Sequence, residues 1–166
     1  MPDRVETTRQ TGLKQARRAV FLGGALSLVL AACAAPPPPI PPTVAKLTID
    51  VAKDANATEG GQGAPTIVRV YQLASTAGFE KAEFFRLLNG DTALLGQDMV
   101  KKDEYLLAPG AHKDEMMTVP DRVTALGVLA AYREFSTRTW RVVVPLPPHA
   151  TTPVAITVGA TGLVAK

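Results

Sequence analysis

The sequence predicts an all-β fold, a two-sheet sandwich, over residues 44–166, and three observations carry that expectation. Apolar and polar residues alternate with a period of two, the alternating segments are short, and glycine or proline turn signals separate them. Short strands punctuated in this way argue for a sandwich rather than a parallel sheet with crossover helices.

In KLTIDVA (46–52), Leu47, Ile49 and Val51 alternate with Lys46, Thr48 and Asp50, so a strand puts three apolar side chains on one face and three polar ones on the other. TIVRVYQLA (66–74) is rich in β-branched and aromatic residues and reads as the second strand. RVTALGVLAAYREF (122–135) and TRTWRVVVPL (137–146) follow, and PVAITVGA (153–160) alternates Val154, Ile156 and Val158. Shorter strands are expected at EYLLAP (104–109) and around Lys113 to Val119. Gly60-Gly61-Gln62-Gly63, Pro109-Gly110, Pro120-Asp121 and Pro147-Pro148 supply the turns. One segment has a different period. In FEKAEFFRLL (79–88), Phe79, Ala82 or Glu83, then Phe84, Leu87 and Leu88 recur at helical spacing, with Glu80, Lys81 and Arg86 turned outward. This predicts a helix of two to three turns, ended by Asn89-Gly90 as a left-handed cap and covering one end of the sandwich.

The front of the chain is built differently. Residues 1–18 carry Arg4, Arg9, Lys14, Arg17 and Arg18 against Asp3 and Glu6, and the uncharged run AVFLGGALSLVLAA (19–32) comes next. A basic segment before a short apolar one is the pattern of a secretory signal peptide. Fourteen residues fall short of the roughly 20 that a helix needs to span a bilayer. The run ends in Leu30-Ala31-Ala32-Cys33, which resembles the bacterial lipobox. That resemblance implies diacylglycerol on the Cys33 sulfur, cleavage just before it and acylation of the new amino terminus. Two or more acyl chains hold a protein durably at a membrane, where one binds only marginally. A free cysteine more commonly lies buried as a small hydrophobe. Here the motif, the basic flank and the proline-rich exit agree on the lipid anchor, and the lack of a second cysteine excludes an internal disulfide. In lipoproteins of Gram-negative bacteria, aspartate after the lipidated cysteine favours inner-membrane retention. Ala34 stands there instead, so the lipobox resemblance implies the outer membrane.

Three parts result: 1–32, a cleaved lipoprotein signal peptide; 33–43, the lipidated cysteine with a proline-rich linker; and 44–166, the sandwich. Residues 34–43 (AAPPPPIPPT) read as a polyproline II spacer, which at ~3.1 Å per residue reaches about 30 Å. A ligand for an SH3-like domain is the other reading of such a segment. A tether explains it with fewer assumptions. The 134 residues from Cys33 onward make one domain of ordinary size. They hold 13 of the 18 basic and 13 of the 15 acidic residues, so the basicity belongs to the targeting signal. No basic surface with interleaved aromatics is left to argue for nucleic acid.

Catalytic patterns are scarce. A nucleophile elbow, a phosphate loop, HExxH and paired metal-ligand spacings are all absent from the sequence, which points away from an enzyme and from a metal cofactor. His112 and His149 follow Pro-Gly-Ala and Pro-Pro and read as exposed loop residues. The neighbours Asp103-Glu104 and Asp114-Glu115 point to opposite faces of a strand and read as solvated. Trp140 reads as a core anchor, with a partner hot spot as the alternative. Arg69, Arg133 and Arg141 are assigned to strands, either facing outward or in partly buried ion pairs. The stretch KDANATEGGQGA (53–64) between the first two strands stands out. A hairpin closes with two to five residues, so twelve polar and glycine-rich ones suggest either a binding loop or a loose insertion.

Taken in order, these residues resemble the type VI secretion system lipoprotein family, the TssJ or SciN-like proteins, over nearly all of 44–164. The likeness lies in Asn56 to Gly63, Pro65, Val68-Arg69-Val70-Tyr71-Gln72-Leu73, and Phe79 with Ala82-Glu83-Phe84 and Leu87. It continues in Pro109-Gly110, Leu126-Gly127-Val128 with Ala130-Ala131-Tyr132-Arg133, and Trp140-Arg141. It implies a transthyretin-like two-sheet β-sandwich with one or two short added helices, lipid-anchored at the periplasmic face of the outer membrane. It also implies a partner, the C-terminal periplasmic domain of a TssM-like inner-membrane subunit. The family's contact loop, carried onto this chain, is Asp54, Ala55, Asn56, Ala57, Thr58, Glu59, Gly60, Gly61, Gln62 and Gly63. Many relatives have Asn-Pro-Asp where this loop has Asn56-Ala57-Thr58. The resemblance implies no cofactor beyond the acyl lipid on Cys33 and no small-molecule substrate. The alternative is a periplasm-facing carrier or ligand-binding lipoprotein. It requires a concave apolar site with convergent polar groups, for which the sequence shows no candidate.

Overall fold

A computed structural model describes residues 38–57 and 60–166. The signal peptide, Cys33 and most of the proline-rich linker lie outside the described residues, as do Thr58 and Glu59 of the first loop. The compact unit runs from Ile40 to Lys166 and holds eight strands, β1 (Thr43–Val51), β2 (Thr66–Leu73), β3 (Met99–Leu107), β4 (His112–Val119), β5 (Ala125–Ala130), β6 (Arg141–Pro145), β7 (Thr151–Val158) and β8 (Leu163–Ala165). They form two four-stranded sheets, ordered β4-β1-β7-β8 and β3-β2-β5-β6. The expected two-sheet sandwich is the fold observed.

Alternation sets the inner faces. Along β1, Ala45, Leu47, Ile49 and Val51 are buried while Lys46, Thr48 and Asp50 point away, and β7 repeats this with Val154, Ile156 and Val158. These pack against Val68 and Val70 of β2 and Leu126, Val128 and Ala130 of β5, closing a core between the sheets. The pairing is antiparallel throughout except between β1 and β7, which run parallel with Leu47 opposite Val154. Two of the sequence-predicted strands are shorter than expected. The strand read at 122–135 survives only as β5, and the chain then leaves the sheet, so Arg133 lies in a loop and not in a strand. Likewise β6 begins at Arg141, one residue past Trp140.

The helical segment departs furthest from expectation. It forms two helices, α1 (Ala77–Lys81) and α2 (Phe84–Leu95), broken at Ala82 and Glu83, whose backbone is extended. The guanidinium of Arg141 donates to the carbonyls of both Phe79 and Ala82 and holds that break. Asn89-Gly90 is not the end. Gly90 has φ −145° and only kinks α2, which continues to Leu95 and stops at Gly96, with φ +50°. A tertiary contact carries the helix past its local stop signal. Asp91, one residue beyond the kink, accepts hydrogen bonds from Tyr71 Oη (3.0 Å) and Lys102 Nζ (2.8 Å) and pairs with Arg69 at 3.4 Å, while Arg69 also donates to Leu88 O.

Nor do the helices cover an end of the sandwich. Phe79, Leu87 and Leu95 pack on Tyr71, Leu73 and Leu129, the outward side chains of β2 and β5, forming a second apolar layer. β2 and β5 are therefore buried on both faces, which is why ALGVLA reads as a continuous apolar run. Gly127 lies where the layers approach most closely. A Cβ there would sit 2.9 Å from Phe79 Cζ and 2.8 Å from Leu73 Cδ1.

Two predictions come from this layer. Gly127→Ala is expected to lower stability by about 1–3 kcal/mol through overpacking, read by urea denaturation. Burial raises the Asp91 carboxyl, but the Lys102 and Tyr71 hydrogen bonds outweigh it and bring its pKa below the ordinary 3.8. A depressed carboxylate stabilises the fold above its unfolded pKa and loses that contribution as pH falls through the folded value. Stability should therefore drop below about pH 4. Asp91→Ala should cost roughly 2–3 kcal/mol at neutral pH and flatten that acid limb.

Candidate functional site

One end of the sandwich gathers the loops 52–65, 108–111, 131–140 and 159–162, because β1 and β7 end there while β4 and β8 begin. The β1–β2 loop is not a hairpin, since β1 and β2 belong to different sheets. Crossing the ~10 Å between packed sheets accounts for part of its unusual length.

Its root is built into the body. Ala55 N donates to Ala52 O at 3.1 Å and Ala64 N to Ala55 O at 3.0 Å, so the chain enters and leaves through a narrow neck. Ala55 is fully buried and Asn56 nearly so. Asn56 takes the left-handed conformation, φ +51°, which asparagine tolerates better than other non-glycine residues. Its Nδ2 donates to Pro65 O (3.2 Å), and its Oδ1 accepts from the backbone N–H of Arg133 (2.8 Å) in the β5–β6 loop. Gly63 completes the neck, where a Cβ would fall 2.1 Å from Lys53 O. Gly110 N donates to Val51 O at 3.0 Å, fastening the β3–β4 turn alongside.

The ten residues expected to form a contact loop therefore divide. Ala55 and Asn56 face inward and hold the loop in place. Asp54, Gly60, Gly61 and Gln62 are exposed, and Ala57 and Gly63 are half-buried. Thr58 and Glu59 are the two loop residues outside the described set.

The same end carries a feature the sequence reading missed. Phe84 stacks on Phe135 with centroids 4.3 Å apart and planes 6° from parallel. Trp140 meets Phe84 edge-on at 5.2 Å, and Phe85 meets Phe135 edge-on at 4.9 Å. Trp140 is half-buried, with the Arg141 guanidinium 4.5 Å from its ring, so it is neither fully inside nor free. The doublet Phe84-Phe85 was the available signal. Consecutive residues on a helix lie 100° apart, so both cannot face one sheet.

At the opposite end the chain enters the domain. Thr43 Oγ1 accepts from His149 N at 2.8 Å, Val44 N donates to Ala150 O at 2.9 Å, and His149 Nδ1 lies 3.0 Å from Pro41 O. His149, at φ +57°, thus pins the root of the linker. Ile40 ahead of it is exposed. Nine residues of β1 at ~3.3 Å each separate this root from the loop cluster by about 30 Å.

His112 and the two carboxylate doublets are locally paired. His112 is the first residue of β4 rather than a loop residue, with Nδ1 2.7 Å from Asp50 and Nε2 2.9 Å from Asp114, partners that raise its pKa. Glu104 pairs with Arg69 on the helix-covered face, while Glu115 accepts from Tyr105 Oη at 2.5 Å on the inner face. The neighbouring carboxylates do separate to opposite faces, although each carries a partner and is not merely solvated. Among the described residues, no group of three or more His, Cys, Asp or Glu side chains is placed to hold a metal ion, and no helix is long and apolar enough to cross a membrane.

Residues 43–161 match the T6SS-SciN family, described as Type VI secretion lipoprotein, VasD, EvfM, TssJ. The chain is similar to the T6SS lipoprotein TssJ1 from Pseudomonas aeruginosa, with 34% identity and a TM-score of 0.74 over 76% of this chain and 96% of that one. It is similar to Serratia marcescens Lip, described as a membrane bound component of the Type VI Secretion System, with 30% identity and a TM-score of 0.70 over 75% and 98%. A chain of the structure described as the T6SS protein TssM C-terminal domain from EAEC matches at 27% identity and a TM-score of 0.63, over 75% and 98%. No curated protein matches.

The loop geometry yields a stability prediction. Asn56→Ala strands the Arg133 N–H and places a Cβ-bearing residue without a compensating side-chain bond at φ +51°, which should cost about 1–3 kcal/mol. Asn56→Gly should cost less, because glycine adopts that φ freely. Chemical denaturation of the two variants checks the order.

Proposed function

The chain belongs to the type VI secretion lipoprotein family, and on that premise we propose that it anchors a type VI secretion membrane complex to the outer membrane. In this reading acyl groups on Cys33 fix one end in the inner leaflet, and the domain faces the periplasm. The exposed part of 54–63 docks the periplasmic C-terminal domain of a TssM-like inner-membrane subunit. The single observation that carries the reading is the polarity of β1. Its first residue is the root of the linker, and its last leads into the loop cluster about 30 Å away. A membrane tether at one end and a docking loop at the other suit a protein that works by position and carries no catalytic step. The similar chain in the structure described by the TssM C-terminal domain supports the choice of partner. The proline-rich spacer adds up to about 30 Å of stand-off between lipid and domain.

Cys33→Ser is expected to move the protein from the membrane to the soluble fraction and to abolish secretion while the domain stays folded. Membrane retention of that variant with intact secretion would refute the anchor. A calorimetric titration against the partner domain is expected to show saturable binding that is lost when residues 57–62, outside the neck, are shortened, with the melting temperature unchanged.

A further inference from the structure

The exposed tip of the β1–β2 loop is a poor anchor by itself. Asp54, Gly60, Gly61 and Gln62 are small or polar, whereas the residues that dominate binding energies at interfaces are aromatics and arginine. A stable interface also covers about 800 Å² and roughly 20–30 residues on each partner, more than a loop of ten residues supplies. The remaining surface must come from what lies beside the loop. Asn56 ties the loop to Arg133 by a 2.8 Å hydrogen bond, and two residues further along stands Phe135. There Phe135 and Trp140 border a groove with Phe84 and Phe85, rimmed by Glu83 and Arg138. Phe85 keeps 57% of its surface exposed although the fold leaves it no apolar layer to enter. Phe135 and Trp140 beside it are half-buried, so the three form a contiguous, partly exposed apolar surface next to the fastened loop, the kind that marks an interaction site.

We propose that this aromatic platform is the second half of the docking surface, and that its occupant is the same periplasmic partner domain, inserting an apolar side chain between Phe85, Phe135 and Trp140. The proposal rests on the reading of the loop given above. Continuity through the Asn56–Arg133 bond is what assigns both halves to one partner. The chain's own proline-rich linker is rooted at the other end of β1, and the β3–β4 and β7–β8 turns nearby carry only small residues around Gly110 and Gly162.

The test uses the soluble mature chain, residues 33–166 with Cys33→Ser, titrated with the TssM-like C-terminal periplasmic domain. Its variants are Phe85→Asp, the milder Phe85→Gln in case Phe85→Asp fails to fold, and the shortened loop. Phe85 points outward, so the melting temperature should hold, while Phe85→Asp weakens binding at least tenfold and Phe85→Gln weakens it less. Affinity within twofold of the parent for a folded Phe85 variant, with binding lost on shortening the loop, would overturn the platform and leave the loop reading intact. A parent that does not bind at all would overturn both. Sedimentation of the parent as a dimer that Phe85→Asp converts to monomer, with partner affinity unchanged, would instead assign the platform to a second copy of this chain.

Discussion

The placement of β1 between β4 and β7 is the constraint on which the rest of the molecule depends. A strand flanked on both sides, with Ala45, Leu47, Ile49 and Val51 locked into the core, has no freedom to slip in register, because a shift of one residue would expose all four. Its two ends are therefore fixed points in the fold. One receives the linker through Thr43 and His149, and the other launches the first loop through the neck at Ala55 and Ala64. In the proposed anchoring role, the stiffness of a paired strand is what gives a contact at one end a defined position relative to a lipid beyond the other.

The second sheet does a different job. Its central strands β2 and β5 are buried twice, by the core on one face and by α1 and α2 on the other. The outer layer is held by specific polar contacts as much as by apolar packing. Asp91 ties α2 to β2 and β3, and Arg141 caps the break between the helices from β6. The start of α2 is thereby brought to the loop end of the sandwich, where Phe84 and Phe85 join Phe135 and Trp140. The aromatic platform exists because a helix insertion between β2 and β3 and a loop between β5 and β6 are clamped to the same sheet.

A glycine-rich loop suggests looseness, yet the root of this one is fastened to the body. Asn56 spends both ends of its side-chain amide on backbone groups of other segments, and Gly63 fits against Lys53 with no room for a side chain. Such a neck fixes where the loop leaves and rejoins the body, which in the proposed docking role lowers the entropic cost of binding.

Much of this was legible in the sequence. The period of two in residues 46–52 and 153–160 places Leu47, Ile49, Val154 and Ile156 inside whatever the partner strand, because a strand has only two faces. The family, the sandwich and the first loop could all be read from residues in order. Sequence could not decide that β1 and β2 lie in different sheets, since the same twelve residues serve a long hairpin or a crossover. Nor could it decide that the helix runs past Gly90, because the Asp91 contacts that outweigh the local stop come from Arg69, Tyr71 and Lys102, 11 to 22 residues away. The gathering of Phe84, Phe85, Phe135 and Trp140 at one end depends on pairings between segments some 50 residues apart along the chain. Local pattern determines which face of an element is apolar; only the tertiary structure decides which elements share an end, because that is set by long-range pairing.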